Sequence, residues 1–245
     1  MSTVVLQTFH KEFLHNSESN WVLPIGVNGF YGGGVLRDDS GDEISKLNSF
    51  YCELTAQYWA WKNTSWDNVG FFHYRRYLNF LPIAGYHDNV DVDIKSASSA
   101  IAYLTSEDQK ASLDQLLSVC DVVVPRGTPL PPSAYAQYCG FVKSEPWHEF
   151  VHQLKLKYPG AVDPDIYFKS VSFAPICNIF VMRRPIFNKY CEDLFSIIDA
   201  VFEKIGSPYD DYNNRYPGFL AERFLGYWLH IMRVGRIEVP MVVIK

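Results

Sequence analysis

Runs of apolar residues and their spacing divide the chain into alternating strands and helices. Short apolar or β-rich runs predict buried strands at residues 4–9, 69–80, 121–125, 177–182 and 237–244. Apolar positions at three- and four-residue spacing predict helices near residues 44–62, 110–119, 144–158, 185–204 and 217–232. Residues 81–106 have the composition of loops. With no internal repeat or low-complexity linker, the pattern predicts a single α/β domain over residues 1–245.

Basic side chains follow the apolar and aromatic residues of the predicted strand at 69–80. His73, Arg75 and Arg76 lie there, and open α/β sheets bind ligands at the carboxyl ends of strands. Guanidinium groups hold phosphates through paired hydrogen bonds. Adjacent strand residues point to opposite faces, so we expect one arginine to contact a ligand and the other a structural carboxylate. Salt bridges made by both arginines are the alternative.

Two carboxylates stand among apolar residues. Glu53 lies inside the predicted helix at 44–62, where we expect a partly buried acid that pairs with one of the arginines. Glu222 lies near the start of the helix at 217–232, a suitable place for a general base that touches an acceptor hydroxyl. A local pair between Glu222 and Arg215 is the competing explanation.

Charge and cysteine content narrow the partners and the compartment. The net charge is −5, so the chain as a whole does not suit nucleic acid. Five cysteines without a C-x-x-C pair indicate reduced thiols and a cytoplasmic location. Neither a signal-peptide pattern nor a bilayer-length apolar run is evident, so we expect any membrane contact to be peripheral, at the inner face. Aromatic residues make up 16%, which suits stacking on sugars or bases, or an aromatic core.

Metal-binding patterns are present but lack context. Residues 148–152 spell H-E-x-x-H, so a zinc hydrolase acting through His148, Glu149 and His152 is one alternative. The predicted helix begins only about three residues earlier, and no spacing supports a third ligand. Asp91 with Asp93 and Asp163 with Asp165 match D-x-D, but neither pair follows an apolar strand. We therefore predict no metal ligand and no firm cofactor, and leave Mn²⁺ or Mg²⁺ open.

Four segments together resemble a known bacterial family. They are residues 39–62, 69–78, 178–197 and 215–229. This family comprises capsular and exopolysaccharide biosynthesis glycosyltransferases, was long filed as a domain of unknown function, and includes galactofuranosyltransferase domains of O-antigen synthesis. The similarity spans nearly the whole chain, in the expected order.

The resemblance implies a GT-A-like, Rossmann-like α/β fold with a mixed central sheet. It also implies an inverting transfer from a UDP-linked sugar to a growing surface polysaccharide, with a lipid-linked or oligosaccharide acceptor and other polysaccharide-assembly enzymes as partners. We expect a donor-binding half at about 1–127 and an acceptor and catalytic half at about 128–245. The donor-binding residues expected from the matching positions are Asp39, Asn48, Glu53, His73, Arg75, Arg76, Asn178, Arg215 and Arg223.

The expected chemistry does not require a metal. His73, Arg75 and Arg76 fall where metal-dependent relatives carry D-x-D, so we hypothesise that one arginine, helped by His73, stabilises the departing diphosphate. Glu222 is the first choice for the base, with Asp211 and Asp42 behind it. A non-catalytic nucleotide-sugar or glycan-binding module is a further alternative.

The sequence departs from the family in its middle. Residues 137–141 lack the histidine expected shortly after the Gln137–Tyr138 pair. Because acceptor recognition often lies in variable loops, we expect this segment to bear on the acceptor.

Overall fold

The computed structural model describes residues 1–32, 35–82, 88–209 and 212–245. Its strands are β1 (Thr3–Phe9), β2 (Val22–Gly26), β3 (Leu36–Arg37), β4 (Asn68–His73), β5 (Arg76–Leu78), β6 (Val90–Val92), β7 (Val122–Pro125), β8 (Thr128–Pro129), β9 (Phe173–Ala174), β10 (Phe180–Arg183), β11 (Arg236–Val239) and β12 (Met241–Ile244). Its helices are α1 (Asn48–Tyr51), α2 (Leu54–Asn63), α3 (Ala97–Leu104), α4 (Glu107–Val119), α5 (Ala134–Cys139), α6 (Glu145–Lys157), α7 (Pro164–Ser170), α8 (Arg184–Ile205) and α9 (Tyr216–Met232). Short 3₁₀ turns precede α1, α3 and α9, at Ser45–Leu47, Ile94–Ser96 and Tyr212–Arg215.

The central sheet is mixed, in the order β11-β7-β10-β4-β1-β2-β3. Strand β1 runs parallel to both β2 and β4, and all of its residues are buried, as expected for a strand covered on both faces. Strand β10 is antiparallel to its neighbours β4 and β7. Because β1, β2 and β4 are parallel, their carboxyl ends at Phe9, Gly26 and His73 meet at one edge of the sheet.

Side-chain alternation along the strands feeds two apolar cores. Val4 and Leu6 of β1 pack on the side of α2, α6, α8 and α9, whereas Val5 packs on the side of α3 and α4. Helices therefore cover both faces of the sheet, the arrangement of an α/β fold.

Polar side chains cap several of the helices. The side chain of Ser106 accepts from the backbone of Gln109 at the start of α4, and acidic residues fill the first turn. The side chains of Ser133 and Asp163 cap α5 and α7 in the same way. Ser144, which stands before α6, makes no such hydrogen bond, and Pro146 in the first turn sets the backbone there instead.

Four predicted elements were wrong in detail. The helix at 44–62 is interrupted at Cys52, and the strand at 69–80 is a hairpin of β4 and β5 that turns at Tyr74 and Arg75. Residues 81–106 contain β6 and α3 rather than loops alone. The strand at 237–244 is divided at Pro240 into β11 and β12, which pair with different partners.

Candidate active site

A strained residue interrupts the helix that the sequence predicted as continuous. Cys52 has φ 54° and ψ −132°, a conformation that costs a non-glycine residue about 1–3 kcal/mol and that recurs at functional sites. The side-chain amide of Asn48 donates to the carbonyl of Cys52 at 2.7 Å and to Oγ1 of Thr55 at 2.8 Å, so it holds both sides of the break. The break places Cys52 and Glu53 on the wall of a cavity.

The turn before β10 fixes Glu53. Cys177 and Asn178 have φ values of 73° and 51°, and the Asn178 side chain is buried. Its Nδ2 donates to Oε1 of Glu53 at 2.8 Å and to the carbonyl of Gly218 at 3.3 Å. Asn178 thus connects the break at Cys52 with the first turn of α9.

The hairpin between β4 and β5 brings His73 beside Arg76. Nη1 of Arg76 lies 3.3 Å from Nδ1 of His73. Burial, followed by the charge of Arg76, lowers the pKa of His73 to about 3, so the imidazole is neutral at physiological pH. With Nδ1 accepting from Arg76, the proton of the neutral ring is assigned to Nε2. Arg75 lies at the turn, with its guanidinium 5.6 Å from the ring centroid of Tyr74, and does not line the cavity.

The start of α9 supplies a second guanidinium. Nε of Arg215 donates to Sγ of Cys52 at 3.1 Å, and the guanidinium lies 4.8 Å from the ring centroid of Tyr212. Burial raises the pKa of the Cys52 thiol to about 12, so the thiol stays neutral beside the arginine. A Cβ at Gly218 would lie 3.2 Å from Sγ of Cys52, so glycine allows α9 its close approach to the break.

Glu222 lies in the second turn of α9, not at its first residues. It pairs with Arg223, whose Nη1 donates to Oε2 of Glu222 at 2.7 Å, rather than with Arg215. Arg223 is buried and also donates to the carbonyl of Phe219 and to Oε1 of Gln137. Burial raises the pKa of Glu222, Arg223 opposes that shift, and the charge of Glu53 adds to it.

Two adjoining cavities, hereafter the cleft, lie where these segments meet. The first, of about 310 Å³, lies over the carboxyl ends of β1, β2 and β4. The second, of about 140 Å³, reaches α9. Both are lined by Cys52, Glu53, His73 and Arg215. The second is also lined by Arg76 and Glu222.

The cleft places two guanidinium groups beside two carboxylates. Within the described ranges, neither Arg76 nor Arg215 forms an ion pair with a carboxylate, and their hydrogen-bond partners are a neutral imidazole and a thiol. Glu53 is held by an amide, and Glu222 by Arg223. Two guanidinium groups thus keep their charge available for a ligand, next to two acids.

Residues 4–233 match the model of a family described as Domain of unknown function (DUF4422). This chain belongs to the DUF4422 family. Among solved structures, it is similar to the apo structure of the bifunctional glycosyltransferase WbbM, with a TM-score of 0.84 and 28% sequence identity. The match covers 100% of this chain and 46% of that chain, so this chain spans less than half the length of WbbM. No curated protein matches it.

These findings confirm the family resemblance and the α/β, GT-A-like fold with a mixed central sheet. None of the helices that the structure describes combines the length and apolar content needed to cross a bilayer.

Asp39 and Asp42, two acidic residues of the segment at 39–62, do not line the cleft. Asp39 pairs with Arg37 at 2.8 Å, and Asp42 is exposed and accepts from the Tyr58 hydroxyl at 3.1 Å. Asp211 lies outside the described residues. Asp38, which immediately precedes this segment, is buried, accepts from Oγ1 of Thr55 at 2.6 Å and joins the end of β3 to α2.

Sequence reasoning missed several cleft residues, among them the polar side chains of His10 and Asn28. They follow the ends of β1 and β2, and the ring centroids of His10 and His73 lie 6.3 Å apart. Each is among the first polar residues after a buried apolar run, which is the signal that could have identified them.

The metal-binding patterns lie away from the cleft. His148 and His152 are exposed on the outer face of α6, and Glu149 accepts from Gln153 at 2.7 Å. Asp91 pairs with Lys245, while Asp163 and Asp165 pair with Lys155. In the part of the chain that the structure describes, no three His, Cys, Asp or Glu side chains cluster as a metal site would require. The amphipathic face of α6 accounts for the H-E-x-x-H spelling.

Proposed function

We propose that this chain is a glycosyltransferase that moves a sugar from a nucleotide-diphosphate donor to a glycan acceptor. The observation that carries the proposal is the cleft, where Arg76 and Arg215 lie beside Glu53 and Glu222 and form no ion pair with any carboxylate among the described residues. The likeness to WbbM supports the same class of reaction.

Arg76 and Arg215 bind the diphosphate and stabilise the negative charge that grows on it as the glycosidic bond breaks. Neutral His73 donates from Nε2 to the same group. One well-placed donor to a developing charge contributes on the order of 2.7–4 kcal/mol to lowering a barrier. In this proposal the diphosphate is held without a divalent cation.

Glu222 is the proposed general base. It takes the proton of the acceptor hydroxyl while the hydroxyl oxygen forms a bond to the anomeric carbon and the diphosphate leaves with the electrons of the broken bond. Attack from the side opposite the leaving group inverts the configuration. The raised pKa of Glu222 makes it a stronger base than an ordinary glutamate. Glu53 also lines the cleft, and it is therefore a better second candidate for the base than Asp42, which is exposed and lies outside the cleft.

The finer assignments rest on the family resemblance. They are a UDP-linked donor sugar, with galactofuranose as the first candidate, and a growing O-antigen, capsule or exopolysaccharide as the acceptor. A lipid-linked acceptor would place the enzyme at the inner face of the cell membrane.

A thermal-shift screen tests the proposal. The purified protein is heated with UDP, GDP, CMP, dTDP or UDP-sugars, each with and without Mn²⁺, because a ligand that binds only the folded state raises Tm. We expect UDP and UDP-sugars to raise Tm without Mn²⁺. A shift that requires Mn²⁺ would contradict metal-free binding, and the absence of any nucleotide shift would remove the donor assignment.

A further inference from the structure

Exposed aromatic rings border the cleft beside Glu222. Tyr212 is 56% exposed and Phe141 is 46% exposed, and both pack against Phe219, with ring centroids 5.0 Å and 5.9 Å from it. Tyr212 and Phe219 also line the cavity that contains Glu222. We call these three residues, Phe141, Tyr212 and Phe219, the aromatic rim.

Two arginine side chains, Arg215 and Arg223, pack against the rings of the rim. The guanidinium of Arg215 lies 4.8 Å from the ring centroid of Tyr212 and 5.8 Å from that of Phe219, and Arg223 lies 5.8 Å from that of Phe141. The backbone of Lys143 donates to Oδ1 of Asn213 at 2.9 Å, which joins the two chain segments that carry the rim. Large rings exposed to water yet held in place are typical of a surface that a ligand covers.

We infer that the aromatic rim is the acceptor subsite and binds a sugar ring through its apolar C–H face; this rests on the proposed function. A sugar presents C–H groups on its faces and hydroxyls on its edge, so it stacks on an aromatic ring while its edge reaches a carboxylate. Glu222 supplies that carboxylate at the floor of the same cavity. A phosphorylated ligand is disfavoured beside the carboxylate of Glu222, so the sugar assigned to the rim is a neutral one.

The position of the rim agrees with the reaction. Arg215 contacts the rim on one side and Cys52, at the diphosphate side of the cleft, on the other. A sugar on the rim therefore has its edge between the proposed base and the proposed diphosphate site. Phe141 also belongs to residues 137–141, the segment in which the sequence departs from its family.

Saturation-transfer difference NMR on the whole chain tests the subsite without requiring turnover. The protein is irradiated at its aromatic protons in the presence of methyl glycosides of galactose, glucose and mannose, with and without saturating UDP. The variants are Tyr212→Ala and Phe141→Ala. The matched control is Phe173→Ala, which removes a ring that is 63% exposed and lies outside the cleft.

We expect at least one glycoside to give a signal that persists with UDP, falls at least about fivefold in the two rim variants and is unchanged in Phe173→Ala. No signal from any glycoside, or equal signals in all variants, would overturn the subsite. Loss of the signal on adding UDP would also overturn it, because the rim would then hold the nucleobase. If a glycoside gave a signal but the protein bound no nucleotide, the rim would stand as a sugar-binding site and the proposed glycosyltransferase function would be rejected.

Discussion

Arg76 and Arg215 each rest on a neutral partner. Arg76 contacts the unprotonated Nδ1 of His73, and Arg215 donates to the protonated thiol of Cys52. A carboxylate in either place would neutralise the cation and compete with an anionic ligand. The neutral partners orient both side chains and leave their charge for the ligand.

Lysine at either position is expected to weaken nucleotide binding. Arg76→Lys and Arg215→Lys keep the positive charge but lose the planar pair of donors, so we expect Kd for UDP to rise at least about tenfold. Isothermal titration calorimetry measures the change. Arg236→Lys, in β11 and outside the cleft, is the control and should leave Kd unchanged. Equal affinities in all three variants would contradict a diphosphate site at these arginines.

Removal of the proposed base is expected to slow transfer without weakening donor binding. Glu222→Gln can still accept from Arg223, so we expect kcat to fall at least about 100-fold while Kd for the donor changes little. Glu149→Gln on α6 is the matched control. The wild-type rate should rise with pH on an acid limb above the ordinary glutamate range, because the pKa of Glu222 is raised. Near wild-type turnover of Glu222→Gln would exclude Glu222 as the base.

At the scale of elements, the cleft depends on how closely α9 approaches the break at Cys52. Gly218 faces Cys52, and a Cβ there would also lie 3.3 Å from Cβ of Cys52. Because Asn48 donates a hydrogen bond to the backbone carbonyl of Cys52, neither Sγ nor Cβ of Cys52 can move aside freely.

An alanine at Gly218 is therefore expected to disturb the cleft. Gly218→Ala pushes α9 away from Cys52, and we expect Kd for UDP to rise several-fold because Arg215 and Glu53 shift with these elements. Gly226→Ala in the same helix is the control, since its Cβ would meet nothing closer than 3.5 Å. Alanine favours a helix over glycine by about 1 kcal/mol, so the control should have an equal or higher Tm. Unchanged affinity in Gly218→Ala would show that the close approach is not required.

The sequence predicted most elements whose partners are local. Each of these elements can be recognised from a short stretch of sequence: β1, β7 and β10 by their apolar runs, and α8 and α9 by their helical periodicity. The break at Cys52 could not be predicted, because the apolar spacing from Leu47 to Trp61 continues through it. The side chain of Asn48 stabilises the break, and Gly218, which is far away in sequence, leaves room for it. Helix α3 was missed because it has only eight residues, about two helical turns, which is too short a window for the apolar spacing to identify it.

Part of the candidate site could also be predicted from the sequence. Glu53, His73, Arg76, Arg215 and Glu222 were named from three separate segments, and the fold places all of them on one cleft. Asp39 and Asp42 were named with them but face elsewhere, since residue type alone does not give the direction of a loop side chain. The roles of these residues and the division into halves near residue 127 stay predictions.

At the scale of the whole molecule, the lowered pKa of His73 makes the free energy of unfolding depend on pH. Its pKa is lowered to about 3 in the folded chain and lies near 6.5 when unfolded, so the unfolded state binds the proton more readily. Stability from this residue is present above pH 6.5 and is lost as the pH falls towards 3.

The loss can be measured by urea unfolding at pH 7 and pH 5. We expect His73→Gln to remove about 2 kcal/mol of the decrease in the free energy of unfolding between these two pH values, because glutamine does not titrate. His152→Gln, on the exposed face of α6, should keep the wild-type decrease. Identical pH dependence in both variants would mean that His73 is protonated normally in the folded chain.

The position of β10 in the sheet affects how the chain is made. This strand lies between β4 and β7, although it follows both in sequence, so during translation the middle of the sheet stays open until residue 183 has left the ribosome. The apolar edges of β4 and β7 are exposed on the nascent chain for that interval, and long-range pairing of this kind closes slowly. A nascent chain that ends before β10 therefore carries unpaired strand edges at β4 and β7, which are open to pairing with other chains.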